Sequence, residues 1–355
     1  MIPIATPVVG DEEADRVARV LESGTLAEGE VVRAFEREFA DYCGTDRAIA
    51  TANGTAALHA ALVGLGIGEG DRVLTTPFSF VATANAIRHA GAEPAFADVD
   101  PVTYNLDPDA ARDAAADVDA ILVVHLYGCP AEVDAFAELA ADLGVPLVED
   151  CAQAHGATYR GRRVGSFGDA ACFSFYPTKN MTTGEGGIVL TDREDVAERV
   201  GRFVDHGRVG GYTHASVGHN FRMTNVAAAI GRAQFERLPE FVARRRANAT
   251  RLTAALAETG LEPPVEPVRR THVYHQYTVR APDRAAFREH LEAHDVGSAI
   301  YYPRCIHKQP AYDGVSHDAP NAERAATEVL SIPVHPGLSS DDVDRVTEVI
   351  ASYGG

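Results

Sequence analysis

Lysine is nearly absent from this sequence. Of its 32 basic residues only Lys179 and Lys308 are lysines; the rest are arginines. Arginine performs the electrostatic tasks of a cation, yet it stays protonated and cannot attack a carbonyl. A chain that keeps lysine at so few places points to a need for an amine there. The reading is a Schiff base at Lys179, within Phe173-Ser174-Phe175-Tyr176-Pro177-Thr178-Lys179-Asn180, although scarcity alone supports Lys308 equally. Other absences narrow the field. No apolar run approaches the roughly 20 residues that span a bilayer, and Met1-Ile2-Pro3-Ile4 lacks the basic and apolar regions of a signal peptide. The five cysteines (43, 129, 151, 172, 305) form no CxxC pair, so neither a disulfide framework nor a zinc site is indicated. The expectation is a cytoplasmic protein.

Basic surface is also scarce: the net charge is −19, which argues against nucleic-acid binding. Ordinary solubility accounts for acidity in general. Acidity joined to missing lysine and abundant alanine and arginine points instead to a high-salt cytoplasm, that is, to a halophile.

With 355 residues and a 46% hydrophobic fraction, the chain can fill substantial cores. Helical spacing marks residues 11–43, broken near Gly24 and Gly29. The strand Arg47–Ala50 then feeds Thr51-Ala52-Asn53-Gly54-Thr55-Ala56, a small-residue turn opening an alanine-rich helix. Such a helix start can cradle phosphate with its free amides, and equally it can be plain packing. From 71 to 150 strands alternate with helices (73–76, 80–89, 93–98, 107–116, 120–125, 133–143, 146–150). That alternation implies right-handed crossovers and a largely parallel sheet. Runs such as Ile121-Leu122-Val123-Val124 fit strands buried on both faces. Ligands then belong at the carboxyl ends of the strands, where Thr75-Thr76, His125 and Glu149-Asp150 cluster. Residues 162–174 and 187–191 read as further strands, 194–207 as helix and 210–224 as loop. The segment 226–256 reads as helix interrupted at Pro239, a connector. Beyond it come a strand over His272–Val279, a helix over 283–294, a second strand over 298–302 and a helix from Ser340. The division is a large α/β domain over 1–240 and a small C-terminal α+β domain over 241–355.

Asp150 gives Lys179 a partner. It ends a strand, and Lys179 follows 29 residues and one further strand later. In pyridoxal phosphate enzymes an aspartate keeps the ring nitrogen protonated while a lysine amine binds the aldehyde carbon on the other side of the ring. Neighbouring strand ends can place both groups.

At this point the sequence resembles a known family. Glu149-Asp150-Cys151-Ala152-Gln153-Ala154-His155-Gly156, Ser174-Phe175-Tyr176-Pro177-Thr178-Lys179 and Gly184-Glu185-Gly186-Gly187 are similar to the DegT/DnrJ/EryC1/StrS aminotransferases. Further matches are Asn53–Leu58, Pro77–Ala86, Gly218-His219-Asn220-Phe221-Arg222-Met223, His307–Tyr312 and Leu330–Pro336. The resemblance implies fold type I, a mainly parallel α/β sheet with a smaller C-terminal domain. It implies pyridoxal 5'-phosphate as cofactor and amino transfer to C3 or C4 of a nucleotide-diphosphate keto sugar, with glutamate as donor. Tyr301-Tyr302-Pro303 leans toward C3. By the same resemblance Lys179 is the Schiff-base lysine and proton shuttle, Asp150 binds the ring nitrogen, and Phe80 stacks on one ring face with Ala152 beneath the other. Gln153 meets the phenolic edge. Asn53, Gly54, Thr55 and Ser174 form the phosphate end, joined by Asn220 from the neighbouring subunit of a homodimer. Tyr301, Arg304 and His307 are the sugar-nucleotide residues.

Simpler readings apply elsewhere. His125 and His155 suit packing or support near the strand ends, and His206 and His335 are polar punctuation. Lys308 is a diphosphate contact or a solvated lysine. Cys151 and Cys172 fill core positions, and Arg244-Arg245-Arg246 reads as a solvated helix face. A family dehydratase replaces the lysine with histidine, and a non-catalytic regulatory homologue would lose Asp150, Lys179 or Ser174; this chain keeps all three. Neither the dinucleotide fingerprint nor the P-loop pattern is present.

Overall fold

A computed structural model describes residues 1–257, 259–315 and 317–353. Eleven α-helices are described: α1 Asp11–Ser23, α2 Glu30–Cys43, α3 Gly54–Gly64, α4 Ala82–Ala90, α5 Pro108–Ala114, α6 Val133–Leu143, α7 Glu194–Val204, α8 Asn225–Leu256, α9 Arg284–Ala293, α10 Pro320–Glu328 and α11 Ser340–Tyr353. The central sheet has seven strands. Across the sheet they run Arg47–Thr51, Gly187–Thr191, Ala170–Ser174, Leu147–Asp150, Ala120–Val124, Arg72–Thr75 and Glu93–Phe96. The last five of these are mutually parallel, and Gly187–Thr191 runs antiparallel to both of its neighbours. This is the mainly parallel α/β architecture expected of fold type I.

Period-two alternation sends side chains to opposite faces, and both faces are covered. Ile121 and Val123 join one apolar cluster with α2 and α6. Leu122 and Val124 join a second, built largely on α3 and α7. A third cluster joins Leu252 and Leu256 of α8 to Tyr277, Phe287, Leu330 and Ile350.

Several expectations change. The segment 225–256 is one 32-residue helix with Pro239 inside it, not two stretches around a connector. Proline removes one backbone donor and crowds the carbonyl four residues back, here that of Phe235. Packing of α8 against α1, α2 and α11 carries the helix through the defect. The expected strand 272–279 splits, leaving strand only at Arg270–Thr271 and Tyr277–Arg280. Between them the backbone leaves the ladder to bond the loop after the Ala120–Val124 strand: Val273 N donates to Gly128 O at 3.0 Å and Gln276 N to Tyr127 O at 3.3 Å. The strand expected over 298–302 reduces to a single bridge between Ala299 and Ser331. The pairing partner of Tyr277–Arg280 is Val329–Ile332. The loop 210–224 contains half of a small hairpin pairing Arg208–Gly210 with Thr213–His214.

Candidate active site

The sheet register assembles the site. Thr51 and Ser174 lie opposite the same residue, Gly187, from its two sides. The turn leaving Thr51 therefore meets the end of the Ala170–Ser174 strand. A side chain at Gly187 would drive its Cβ to 2.4 Å from the Asn53 carbonyl oxygen, and one at Gly54 to 2.6 Å from Ser174 Cβ. Only glycine permits this approach. Asn53 is the N-cap of α3, its Oδ1 accepting from the Ala56 amide at 2.9 Å. The cap leaves the Gly54 and Thr55 amides at the first turn without intrahelical acceptors. Those amides and the Ser174 hydroxyl, with the helix dipole behind them, form a cradle for an anion.

One strand over stands Asp150. The Leu147–Asp150 strand pairs parallel with Ala170–Ser174, placing Asp150 opposite Cys172, and Lys179 follows the end of that second strand. Asp150 is buried. Its Oδ2 accepts from Thr83 Oγ1 at 2.9 Å and its Oδ1 from the Ala152 amide at 3.1 Å. Burial raises its pKa, partly offset by the Ala152 amide, the Thr83 hydroxyl and the charge of Lys179. Such a carboxylate gains from a cationic donor.

Lys179 shows the reciprocal effect. The residue as a whole is half-buried, and burial of its amine pushes its pKa down to about 8, against the opposing pull of Asp150. At pH 8 about half of such amines are free, against roughly one in 300 for an ordinary lysine.

The other expected residues gather around this pair. Phe80 is 56% exposed just before α4, an aromatic face with room for a stacking partner. Gln153 is committed on two sides: Oε1 accepts from the Tyr127 amide at 2.6 Å, and Nε2 donates to the Tyr302 hydroxyl at 3.0 Å, leaving one Nε2 hydrogen unused. Tyr127 in turn donates its hydroxyl to the Tyr301 carbonyl, so the segment 301–302 is fastened over the site. Thr83, Tyr127 and Tyr302 support the site and escape sequence reasoning. Thr83 does lie one helical turn past Phe80, a spacing visible in the chain, yet nothing there indicates that the turn faces Asp150.

Three residues stand apart. Asn220 is exposed, in a bridge with Asp205 beside the hairpin 208–214. Arg304 is exposed as well. His307 is buried, its Nε2 on Glu323 at 3.0 Å and its ring near Phe96, while Lys308 pairs with the same carboxylate at 3.1 Å.

The histidines at the strand ends divide sharply. His125 accepts the Ala131 amide on Nδ1 at 3.0 Å, so Nε2 carries the hydrogen and donates to Glu149 at 3.1 Å. Glu149 also accepts from the amides of Gly165, Phe167 and Gly168 at 2.7–2.9 Å. These bonds overcome burial and hold its carboxyl below the usual range. Although Cys151 lies close to both, the pair is saturated and spare ligand atoms are few. His155 packs between Phe173 and Phe175, fully buried and held neutral, its pKa pressed to about 3. The expectation that Arg244-Arg245-Arg246 forms a solvated face fails at its centre: Arg245 is 4% exposed and donates Nη1 to the backbone carbonyls of Tyr274 and His275 at 3.1 and 3.2 Å. Arg244 and Arg246 do lie nearer the surface, spanning to Leu338 and to Glu266.

Among the described residues no helix is long and apolar enough to cross a membrane. Comparison with known proteins agrees with the geometry. The family model for DegT/DnrJ/EryC1/StrS aminotransferases matches residues 7–351. A pleiotropic regulatory protein of Geobacillus stearothermophilus is 39% identical, with 94% of this chain and 92% of that protein covered. The UDP-2-acetamido-2-deoxy-3-oxo-D-glucuronate aminotransferase of Pseudomonas aeruginosa is 37% identical, covering 95% and 94%. The solved structure of DesV from Streptomyces venezuelae, in complex with a ketimine intermediate, superposes with a TM-score of 0.94 at 38% identity, covering 97% of this chain and 94% of that one. The chain belongs to the DegT/DnrJ/EryC1/StrS aminotransferase family.

Proposed function

We propose that this protein is a pyridoxal phosphate-dependent aminotransferase that moves an amino group from glutamate onto C3 or C4 of a nucleotide-diphosphate keto sugar. The observation that carries the reading is the convergence, at adjacent strand ends, of a buried carboxylate, a lysine amine with lowered pKa and an anion cradle. These features fit the cofactor at three points: Asp150 for the ring nitrogen, Lys179 for the aldehyde carbon, and Gly54, Thr55 and Ser174 for the phosphate. Asn53 shapes that end as the helix cap, Phe80 and Ala152 take the two ring faces, and Gln153 has one hydrogen left for the phenolic edge. When bound, the cofactor supplies an electron sink for negative charge developing at the substrate carbon.

The residues divide the remaining work. Asp150 stays ionised against the ring nitrogen, a partner that offsets its burial. Lys179 Nζ takes the proton from the donor's α-carbon and, in the return half, delivers one to the sugar carbon. Tyr301 and Tyr302 close the entrance and turn water away. With Arg304 and His307 they form the sugar-nucleotide side, and the 3-oxo substrate in the Pseudomonas relative's name supports C3.

The site is completed in a homodimer, with Asn220 of each subunit reaching the phosphate end of the other. Support comes from the exposed apolar residues on the segment that carries it, Tyr212 and Val217, which are 98% and 92% exposed. We assign residues 1–240 to the cofactor domain and 241–355 to the small domain, with α8 spanning both. A charge of −19 with two lysines supports work in a concentrated-salt cytoplasm.

The Geobacillus relative is named for regulation. Asp150, Lys179 and Ser174 are all present here, which favours catalysis. The test is the visible spectrum of the purified protein with added pyridoxal phosphate. A cofactor band that shifts on adding glutamate, and is missing in Lys179→Ala, is expected; a wild-type protein that never acquires a band would overturn the reading. A panel of nucleotide keto sugars then separates C3 from C4 amination.

A further inference from the structure

Among the described residues the Asp150 carboxylate carries two hydrogen bonds, one of them from a side chain to which the proposed chemistry gives no task. Thr83 Oγ1 donates to Asp150 Oδ2 at 2.9 Å, and Ser79 Oγ stands 3.0 Å from that same Thr83 oxygen. Thr83 and Ser79 are both buried. Valine and alanine would fill these places with no polar group to satisfy, and burying a hydroxyl is unfavourable unless it is bonded.

The polarity of this chain follows from counting hydrogens. A hydroxyl has one and an ionised carboxylate has none. With Asp150 ionised, the Thr83 hydrogen lies toward Oδ2, so the Ser79 hydrogen lies toward Thr83. Donors in series polarise one another, and here both point at the charge. A proton placed on Oδ2 would turn both hydroxyls round. The pair therefore favours the ionised carboxylate, against the burial that raises its pKa.

The backbone adds a second constraint. Thr83 lies in the first turn of α4, and its amide donates to the Phe80 carbonyl at 3.1 Å. One residue thus links the aromatic assigned to a ring face with the carboxylate assigned to the ring nitrogen, and its β-branched side chain has few rotamers. We propose, on the basis of the aminotransferase reading, that Thr83 backed by Ser79 is a positioning residue. It holds Asp150 ionised and aimed at the ring nitrogen, and it fixes Phe80 relative to that carboxylate.

The test compares binding of pyridoxal phosphate to the apo protein with binding of its 1-deaza analogue, which has carbon in place of the ring nitrogen and keeps the aldehyde, phenol and phosphate. The ratio of the two Kd values isolates the nitrogen contact, whereas a general loosening of the site moves both together. Wild type should prefer the nitrogen-bearing cofactor. Thr83→Val keeps the shape and loses the hydroxyl; it should reduce that preference roughly tenfold, the scale of one hydrogen bond to a charged group. Thr83→Ser should restore most of it. Ser79→Ala should reduce it by a smaller factor, and adding Ser79→Ala to Thr83→Val should change it no further, because Ser79 acts through Thr83. An unchanged or larger preference in Thr83→Val would overturn the proposal, as would effects of the two substitutions that multiply. If Thr83→Val does not fold, Ser79→Ala decides, and an unchanged preference there counts against the chain of hydroxyls. A wild type with no preference would remove the aminotransferase reading as well, whereas a preference that survives Thr83→Val removes only the role of Thr83.

Discussion

Glu149 and Asp150 are consecutive residues at the end of one strand, both buried, and they do opposite things. Glu149 faces a closed network in which His125 and three backbone amides occupy its oxygens. Asp150, at the carboxyl end of this central strand, has one hydroxyl and one amide on its carboxylate and the charge of Lys179 nearby. The outcome is a carboxyl held below its usual pKa beside one held above it. Strand pleating turns successive side chains to opposite faces, so a single step along the chain separates a structural anion from a chemical one. A saturated carboxylate ties segments together; an under-satisfied one is available to a ligand.

Substitutions should separate the two roles, and the largest effect is expected at the lysine. Lys179→Ala should lower transamination by at least roughly 10³-fold, while thermal melts of the apo protein stay close to wild type; a large loss of stability would place Lys179 on the structural side. Next come the carboxylates, crosswise. Asp150→Asn should reduce turnover roughly 10²-fold without loss of stability, since it removes a buried charge. Glu149→Gln should instead cost about 3 kcal/mol in urea unfolding, because the new NH2 group must confront either the amides of Phe167 and Gly168 or the Gly165 amide and the His125 N–H. Equal behaviour of the two variants would break the comparison.

A smaller effect sharpens the Asp150–Lys179 coupling. The rate at which apo protein captures pyridoxal phosphate should rise with a midpoint near pH 8, the value to which burial lowers the amine. In Asp150→Asn the midpoint should fall below 8, since the carboxylate is what holds it up. For stability the sign follows from proton binding: between about pH 8 and 10.5 the unfolded chain holds more protons at this lysine, so its contribution improves as pH rises. Spectroscopic titration at a series of pH values measures the first of these.

The smallest effect concerns Glu36, a third carboxylate. Burial raises its pKa to about 7, and the Ala50 amide offsets only part of the shift. The folded state therefore binds the extra proton, and stability from this group is lost as pH rises from about 4.5 through 7. Glu36→Gln should flatten that slope and raise the melting temperature slightly above pH 7; an unchanged slope would show that the carboxyl ionises freely.

Much of this was legible in the chain. Alternating strand and helix signals over residues 71–150 anticipated the parallel sheet, because buried parallel strands need continuous apolar runs such as Ile121–Val124 and crossovers need helices. Lys179, Asp150 and the Gly54 turn stood out for similar reasons: each is a residue type with few substitutes for its chemistry or conformation. Less legible were the features set by packing from far along the chain. Pro239 reads as a helix breaker, yet α8 continues through it, packed against neighbouring helices. The alternation at 272–279 reads as a strand, yet Tyr127 and Gly128 draw the backbone out of the ladder. Arg245 looks like its neighbours Arg244 and Arg246, and only the rotation of α8 against the 274–275 loop buries it.

By itself the sequence determined the kind of chemistry: one amine in the right run, one carboxylate at a strand end, one glycine turn before a helix. Those are local properties, carried by residue type and short spacing. Tertiary structure decided which groups meet. Strand register put Thr51 and Ser174 on either side of Gly187, bringing the helix start to the hydroxyl, and strand order put Lys179 beside Asp150 across 29 residues. It also decided that Glu149 is spent and Asp150 is not, because hydrogen-bond saturation depends on which distant amides arrive, and no local pattern encodes that.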